Sequence, residues 1–357
     1  MRVEPIADAD FEEVVRAHGH PVPIEQSPRW DEFDATLTGR TPWRRLAIWS
    51  TDAADGEPSI LAPASAGAPI AVIAFTHYTG RGFRYLWARH GPVWLQEPSP
   101  LEEHELRDAL RAYVPRADPG LDFMRIHARH EAPDLMPLLQ TIPYDRTVQI
   151  DLTVPTDQRM AALSKSTRKK LRRALEDDAV VITDETQQAA QDFSEYYEIL
   201  EETAERDGFG VHGPEVYQAM VRTLEPAARV FVARRHDQGA TAELTPGRAV
   251  SWILCTTYDG VGTNYYSGQT AEGRATNVGV RLRWELFDRL ANEGVHTYDL
   301  MGVDSPRAPT LAGVGAFKRQ FGPEVHVDGA WDVPLKPWRF RLLVLALRAK
   351  RLLGRLR

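Results

Sequence analysis

With a single cysteine in 357 residues, the chain can build neither a disulfide framework nor a clustered thiolate metal site. That residue, Cys255, ends the apolar run Val250-Ser251-Trp252-Ile253-Leu254-Cys255, where a core thiol in a reducing compartment is expected. Long apolar runs are missing as well. None follows Met1-Arg2-Val3-Glu4, and Leu342 to Leu347 is far too short to cross a bilayer, so the expectation is a cytoplasmic protein without a membrane span. No HExxH pattern occurs, and His212, His236 and His296 lie apart from any Ser or Cys motif. The expectation is therefore no metal, no cofactor and no covalent nucleophile.

What is present is length, apolar content and an uneven charge. A chain of 357 residues that is 43% hydrophobic can bury a sizeable core and reads as two domains of ordinary size. The formal net charge is −7, yet Lys336 to Arg357 hold eight Lys/Arg and no acid, so the preceding 335 residues carry −15. A second basic island, Ser164-Lys165-Ser166-Thr167-Arg168-Lys169-Lys170-Leu171-Arg172-Arg173, puts six cations into nine residues. Two basic islands on an acidic body point to local contacts with anions, not to a protein that coats nucleic acid.

Periodicity and breakers give the same element order twice. The first half reads as a helix over Asp8–Ala17, a helix opened by Ser27-Pro28, strands at 45–49, 71–75 and 83–87, a helix over 101–113 and a strand at 122–126, with a loose loop over 51–69. The second half repeats it with strands at 229–233, 249–257 and 262–266, a helix over 277–292 and a strand at 296–300, with a polar loop over 236–247. That order is the one expected of acetyltransferase-like (GNAT) modules: a mainly antiparallel mixed sheet flanked by helices, its central strands splayed into a cleft. The expected fold is α/β (α+β), two such modules in tandem, with residues 1–152 plus 328–357 forming the first and 153–327 the second.

The basic island reads as a helix with Leu163, Leu171 and Leu175 on one stripe and Arg168, Lys169, Arg172 and Arg173 around it. Like charges at i,i+3 and i,i+4 strain a helix, which a bound polyanion would relieve; a solvated face partly neutralised by Glu176, Asp177 and Asp178 is the alternative. From Trp338 to Arg357, Leu342, Leu345, Ala346, Ala349, Leu353 and Leu356 fall on one helical stripe ringed by arginines. Such a helix either docks on an anionic membrane or lies on the first domain.

The stretch Ser164 to Ala174 resembles the K-x-T-R-x-x-I-R-x-A helix of the FemABX family, tRNA-dependent aminoacyltransferases that build peptidoglycan cross-bridges. Gln26-Ser27-Pro28-Arg29-Trp30, Arg89-His90-Gly91-Pro92-Val93, Glu202-Thr203-Ala204-Glu205-Arg206-Asp207-Gly208-Phe209, Tyr298-Asp299-Leu300-Met301-Gly302-Val303 and Phe317-Lys318-Arg319-Gln320-Phe321-Gly322 follow in the family's order. Two departures stand out: Trp94-Leu95-Gln96 where members often carry an Asp, and Ser267-Gly268 where they often carry Tyr-Gly. The long coiled-coil arm of some relatives is missing, which makes this the compact, FemX-like form.

The resemblance implies aminoacyl transfer from tRNA to an amine of a peptidoglycan precursor, nucleotide-linked (UDP) or lipid-linked, with aminoacyl-tRNA as co-substrate and no other cofactor. It implies Lys318 and Asp299 as catalytic residues, and a substrate cleft that takes in Arg89, Arg206, Asp207, Tyr217, Tyr265, Tyr266 and Phe317. Lys165, Arg168, Lys169, Arg172 and Arg173 become tRNA-binding residues. Several have plain structural alternatives: a C-cap salt bridge for Arg206 and Asp207, a turn carboxylate for Asp299, a surface lysine for Lys318. A monomer at the inner face of the membrane, touching it through 338–357, completes the expectation. Against it stand a CoA-dependent N-acetyltransferase, disfavoured because neither Arg89–Pro92 nor Gln269–Asn277 spells R/Q-x-x-G-x-G/A, transfer to a small molecule outside the wall, and a non-catalytic RNA-binding protein, disfavoured by the acidic body.

Overall fold

The computed structural model describes residues 1–50, 68–80, 82–139, 144–236 and 247–355, with side chains up to 349. The loop expected over 51–69 lies almost wholly outside the described residues, as do most of the loop over 236–247 and the side chains of Leu353 and Leu356. The chain divides into two compact units, Met1–Asp145 with Val327–Arg357 and Arg146–His326.

In the first unit, β1 (Arg2–Pro5), α1 (Asp8–Ala17), α2 (Pro28–Ala35), β2 (Arg40–Trp49), β3 (Ala71–Gly80), β4 (Phe83–Trp87), β5 (Val93–Trp94), α3 (Pro100–Ala117) and β6 (Phe123–Ala128) follow in order. Helices α2 and α3 start at serine–proline signals. Ser27 caps α2 by accepting from the Trp30 amide, and Ser99 with Glu102 forms a capping box ahead of Pro100. Strands β2, β3 and β4 pair antiparallel, but β4 runs parallel to β6, the step that needs α3 as its crossover. Leu106, Leu110 and Val114 of α3 close the core over Leu46, Ile48, Ile73, Phe75, Leu86, Met124 and Ile126.

The second unit begins at β7 (Arg146–Asp151), six residues that the sequence assigned to the first domain and that pair instead with the second sheet. Then come α4 (Thr156–Ala162), α5 (Lys165–Leu175), β8 (Val180–Asp184), α6 (Thr186–Gln191), α7 (Ser194–Asp207), α8 (Pro214–Leu224), β9 (Ala228–Arg235), β10 (Arg248–Tyr258), β11 (Val261–Gln269), α9 (Ala271–Ala275), α10 (Val278–Asn292), β12 (Thr297–Gly302), α11 (Ala312–Lys318) and β13 (Glu324–His326). The sheet order is β13-β7-β12-β11-β10-β9-β8, again with one parallel step, β11 to β12, crossed by a helix, α10. The chain then returns to the first unit. There β14 (Gly329–Pro334) pairs with β6, giving β1-β2-β3-β4-β6-β14 with β5 on β3, and α12 (Pro337–Arg355) follows.

The two units thus share one topology, three antiparallel strands followed by a helix and a parallel strand. In the second, Val280, Leu282, Leu286, Phe287 and Leu290 of α10 bury against Val148, Phe231, Ile253, Cys255 and Tyr298.

Candidate active site

Strands β11 and β12 pair only over Val261–Thr263 against Thr297–Asp299, and β11 then continues to Gln269 without β12 beside it. A parallel pair that parts leaves a V-shaped opening. At its apex the β12 register shifts between Asp299 and Gly302, with Met301 at φ 61°. Asp299 holds this kink: it accepts from the Thr147 hydroxyl, from Gln149 Nε2 at 3.0 Å and from the Met301 amide at 2.5 Å. The kinked carbonyls of Met301 and Gly302 in turn receive Lys318 Nζ at 3.1 and 2.8 Å.

Lys318 is therefore fixed by the strand that Asp299 shapes. Burial pushes its pKa down to about 8, the neighbouring Arg283 charge adds to this, and Asp299 opposes it. A lysine at that value trades its proton near neutral pH, which an exposed lysine does not. Of the two glycines before it, Gly315 is demanded by space, since a Cβ there would lie 2.1 Å from Asp304 Oδ1, the carboxylate that Arg319 grips at 2.8 Å.

Arg283 is the functional candidate that sequence reasoning missed. It is 7% exposed, donates to Gly279 O and Ser267 Oγ at 3.2 Å each, and leaves its Nε without a partner. Its guanidinium sits 4.8 Å from the Phe317 ring centroid, and no carboxylate among the described residues pairs with it. Burial lowers its pKa to about 10. A buried cation that lacks a counter-ion is costly, so its position asks for an anion that arrives from outside. The signal was in the sequence: Arg283 stands three residues after Val280 and four before Phe287, on the apolar face of its helix.

The basic helix α5 buries Thr167, Leu171 and Ala174; Leu175, expected on that stripe, is 37% exposed. Lys165, Lys169, Arg172 and Arg173 are exposed, and no described acid pairs with them. The neutralisation considered above does not occur through Asp177, which binds Arg235 at 2.7 Å. Arg168 departs from the expectation, because its Nη1 donates to the carbonyls of Ala161 and Leu163 and so closes the end of α4. Lys170 reaches Gln320 Oε1 at 3.1 Å, which brings the basic helix beside the Phe317–Gly322 segment across a cleft of about 830 Å³. Arg159, Trp284 and Phe287 line it too.

Other candidates belong to the framework. Tyr217 is 1% exposed, stacks on Phe193 at 5.5 Å, meets Tyr266 edge-on at 4.8 Å and accepts the His212 amide through its hydroxyl. Packing, not substrate, explains it. Tyr217→Ala is expected to cost about 3 kcal/mol of stability in urea denaturation, whereas Tyr217→Phe, which keeps the ring packing, is expected to cost far less. Arg206 spends its nitrogens on Asp207, at 2.9 and 3.0 Å, and on Gln269 O at 3.0 Å, tying the end of α7 to the end of β11; the C-cap pairing is what the structure contains. Tyr265 and Tyr266 are half-buried where the β10–β11 register shifts, so the simple alternation expected of a strand fails there. In the first unit Arg89 packs 4.6 Å over Trp87 and donates to the Tyr78 hydroxyl at 2.6 Å. Its carbonyl takes Gln26 Nε2 at 2.7 Å, and a Cβ on Gly91 would lie 2.7 Å from Gln26 Oε1. The Gln26 and Arg89–Val93 motifs are thus one brace. Cys255 is buried and its thiol is pushed up to about 12, which removes it as a nucleophile.

Residues 161–319 match the acetyltransferase (GNAT) domain family. Among solved structures the chain is similar to FemX, at 14% identity over 96% of this chain and 100% of that one with a TM-score of 0.68. It is similar also to the C-terminal domain of a putative lysylphosphatidylglycerol synthetase from Agrobacterium fabrum (14%, 97% and 98%, TM-score 0.51) and to a tandem GNAT protein from the clavulanic acid pathway (10%, 94% and 98%, TM-score 0.50). No curated protein sequence matches. The chain therefore has a tandem GNAT fold, and it is similar in fold to FemX over 96% of its length.

Proposed function

We propose that the chain, built on the FemX fold, transfers an aminoacyl group from a charged tRNA to an amine of a peptidoglycan precursor stem peptide. The observation that carries this reading is the pair Arg283 and Lys318, a buried and a half-buried cation set where β11 and β12 part, in the unit whose basic helix displays unneutralised charge. Aminolysis of an ester is downhill, so the protein has to align the reactants, accept a neutral amine and stabilise the oxyanion. The acceptor nitrogen bonds to the acyl carbon, the bond to the ribose oxygen breaks, and the proton lost by the amine ends on that oxygen. Lys318, with a pKa near neutrality and two protons fixed by carbonyls, suits a group that gives the ribose oxygen its proton; Arg283 suits the oxyanion. Asp299 is a positioning residue, since it acts through the kink that holds Lys318. The exposed cations of α5 fit the phosphates of an RNA.

Acyl-CoA is the competing donor, because the GNAT match allows it. Its pyrophosphate would need free backbone amides between β11 and α10. Those of Thr270, Gly273, Arg274, Thr276 and Asn277 are bonded inside the fold, and the Ala271 amide donates to the Glu202 carboxylate at 2.7 Å. An anion is already there.

Charged tRNA, CoA thioesters and uncharged RNA, each offered with a stem peptide, separate the readings. Transfer from charged tRNA alone is expected; transfer from a thioester alone would overturn the proposal. Reversing Arg172 and Arg173 to Glu should weaken use of charged tRNA at least tenfold at low salt. The salt dependence should flatten too, by roughly 0.7–0.9 in log–log slope for every phosphate that is no longer neutralised. A change in thermal stability alone would return α5 to a solvated face. In cells, deletion of the gene should remove one residue from the stem peptides seen by mass spectrometry.

A further inference from the structure

The C-terminal basic island is used by none of this chemistry. Helix α12 begins at Pro337 and turns one face to the first unit: Phe340 is 4% exposed, meets Phe123 edge-on at 5.4 Å and joins a cluster with Leu139, against which Leu343, Val344 and Leu347 also pack. That face accounts for the helix's place in the fold. The opposite row has no partner in the described residues. Trp338, Leu342 and Leu345, spaced i, i+4, i+7, are 65%, 56% and 59% exposed, and they make up three of the eight large apolar side chains standing out from the described surface. Ala346 and Ala349 extend the row.

The charges around this row are of one sign. Lys336 and Arg339 are committed to Asp122, at 4.0 and 3.1 Å, but Arg341 and Arg348 are exposed and no described acid pairs with them. Beyond them the sequence adds Lys350, Arg351, Arg355 and Arg357 without an acid. A contiguous apolar row with a tryptophan at one end and arginines alongside is the signature of a helix that lies in a membrane interface. It does not fit a two-fold contact with a second copy of the chain, because symmetry would set this cationic helix against itself. RNA phosphates would use the arginines and leave the leucines in water. No described helix is long and apolar enough to cross a membrane, so the contact is a surface one.

We propose that α12 is a peripheral anchor: Trp338, Leu342 and Leu345 enter the headgroup–acyl boundary of an anionic bilayer while Arg341 and Arg348 meet its phosphates. The anchor is independent of the transfer reading and holds whichever acyl donor the second unit takes.

The test is co-sedimentation of the full chain with vesicles of phosphatidylcholine alone and of phosphatidylcholine with phosphatidylglycerol, at low and at high salt. Binding to the anionic vesicles is expected, at least about tenfold weaker with neutral vesicles or at high salt, as a screened attraction requires. Trp338→Ser with Leu345→Ser should bind at least about tenfold more weakly with its melting curve unchanged, since both side chains are exposed, and Arg341→Glu with Arg348→Glu should weaken binding as much. The proposal falls if the parent protein stays in the supernatant with anionic vesicles. It falls too if the Trp338/Leu345 variant sediments as well as the parent, which would reduce the contact to unspecific charge. Concentration-dependent self-association that this variant abolishes would identify a second copy as the occupant and overturn the membrane assignment.

Discussion

Replacing Lys318 by methionine is expected to lower aminoacyl transfer by about a hundredfold or more, the scale set by removal of a preorganised donor from a transition state. Methionine keeps length and apolar bulk, so the drop reports the missing ammonium. Binding of charged tRNA, held by the exposed cations of α5, should change little, which puts the effect in kcat. The pH profile distinguishes a proton donor from a mere strut. Transfer should fall as pH rises through about 8, where the ammonium gives up its proton. In Lys318→Arg, whose group does not titrate there, the alkaline limb should vanish even if the rate is low. Stability moves the other way. Because the folded value lies below that of an exposed lysine, charged Lys318 costs folding energy at all pH below about 8, and the cost fades as pH climbs toward the ordinary lysine value. Parent protein should therefore gain stability relative to Lys318→Met between pH 7 and pH 10. Unchanged turnover in Lys318→Met would remove the lysine from the chemistry, and an alkaline limb that survives in Lys318→Arg would assign it to another group.

Helix boundaries were legible wherever a local signal marks them: Asp8–Ala17 matches α1 residue for residue, and Ser27-Pro28 and Asn277 stand where α2 and α10 begin. The Ser27 cap of α2 and the apolar period of the helices are properties of short sequence windows. The repeated strand order was legible for the same reason, and the parallel step of each sheet follows from the helix that must cross it. What stayed hidden depends on contacts between distant residues. Nothing local says that Tyr217 lies under Phe193 and Tyr266, that Gln26 reaches Arg89 and Ala74, or that Arg168 turns back to close α4. Likeness to a family motif singles out Lys318, yet what distinguishes it from any lysine beside a glycine turn is the kink at Met301, set by Asp299 with Thr147 and Gln149 from a strand about 150 residues earlier. Arg283 differs in kind. Its register in an apolar helix face was open to view, and an arginine on such a face is a question that composition-level reading passes over.

Arg283→Met is the second large effect, and its two halves oppose each other. Transfer is expected to drop by about a hundredfold or more, because a buried cation placed to meet the oxyanion beside Lys318 disappears. Stability is expected to rise. The guanidinium is buried, with its Nε unpartnered and no carboxylate against it among the described residues, and a folded pKa of about 10 records that cost. A group lowered from an ordinary value above 12 carries its full penalty everywhere below about 10, so the gain should be constant across neutral pH and appear as a higher midpoint in thermal denaturation. Methionine can lie along the same path over Phe317, and what it forfeits is two bonds of 3.2 Å to Gly279 O and Ser267 Oγ. Each is worth about 1–3 kcal/mol as a charged hydrogen bond, but the desolvation they were offsetting goes with them. A net gain of about 1–2 kcal/mol is therefore expected, in line with the replacement of buried ions by apolar groups. A variant that is both less active and less stable would mark Arg283 as a framework residue that clamps β11 to α10. One that is more stable and inactive would mark a cation kept at the expense of folding for an anion that the free protein does not supply.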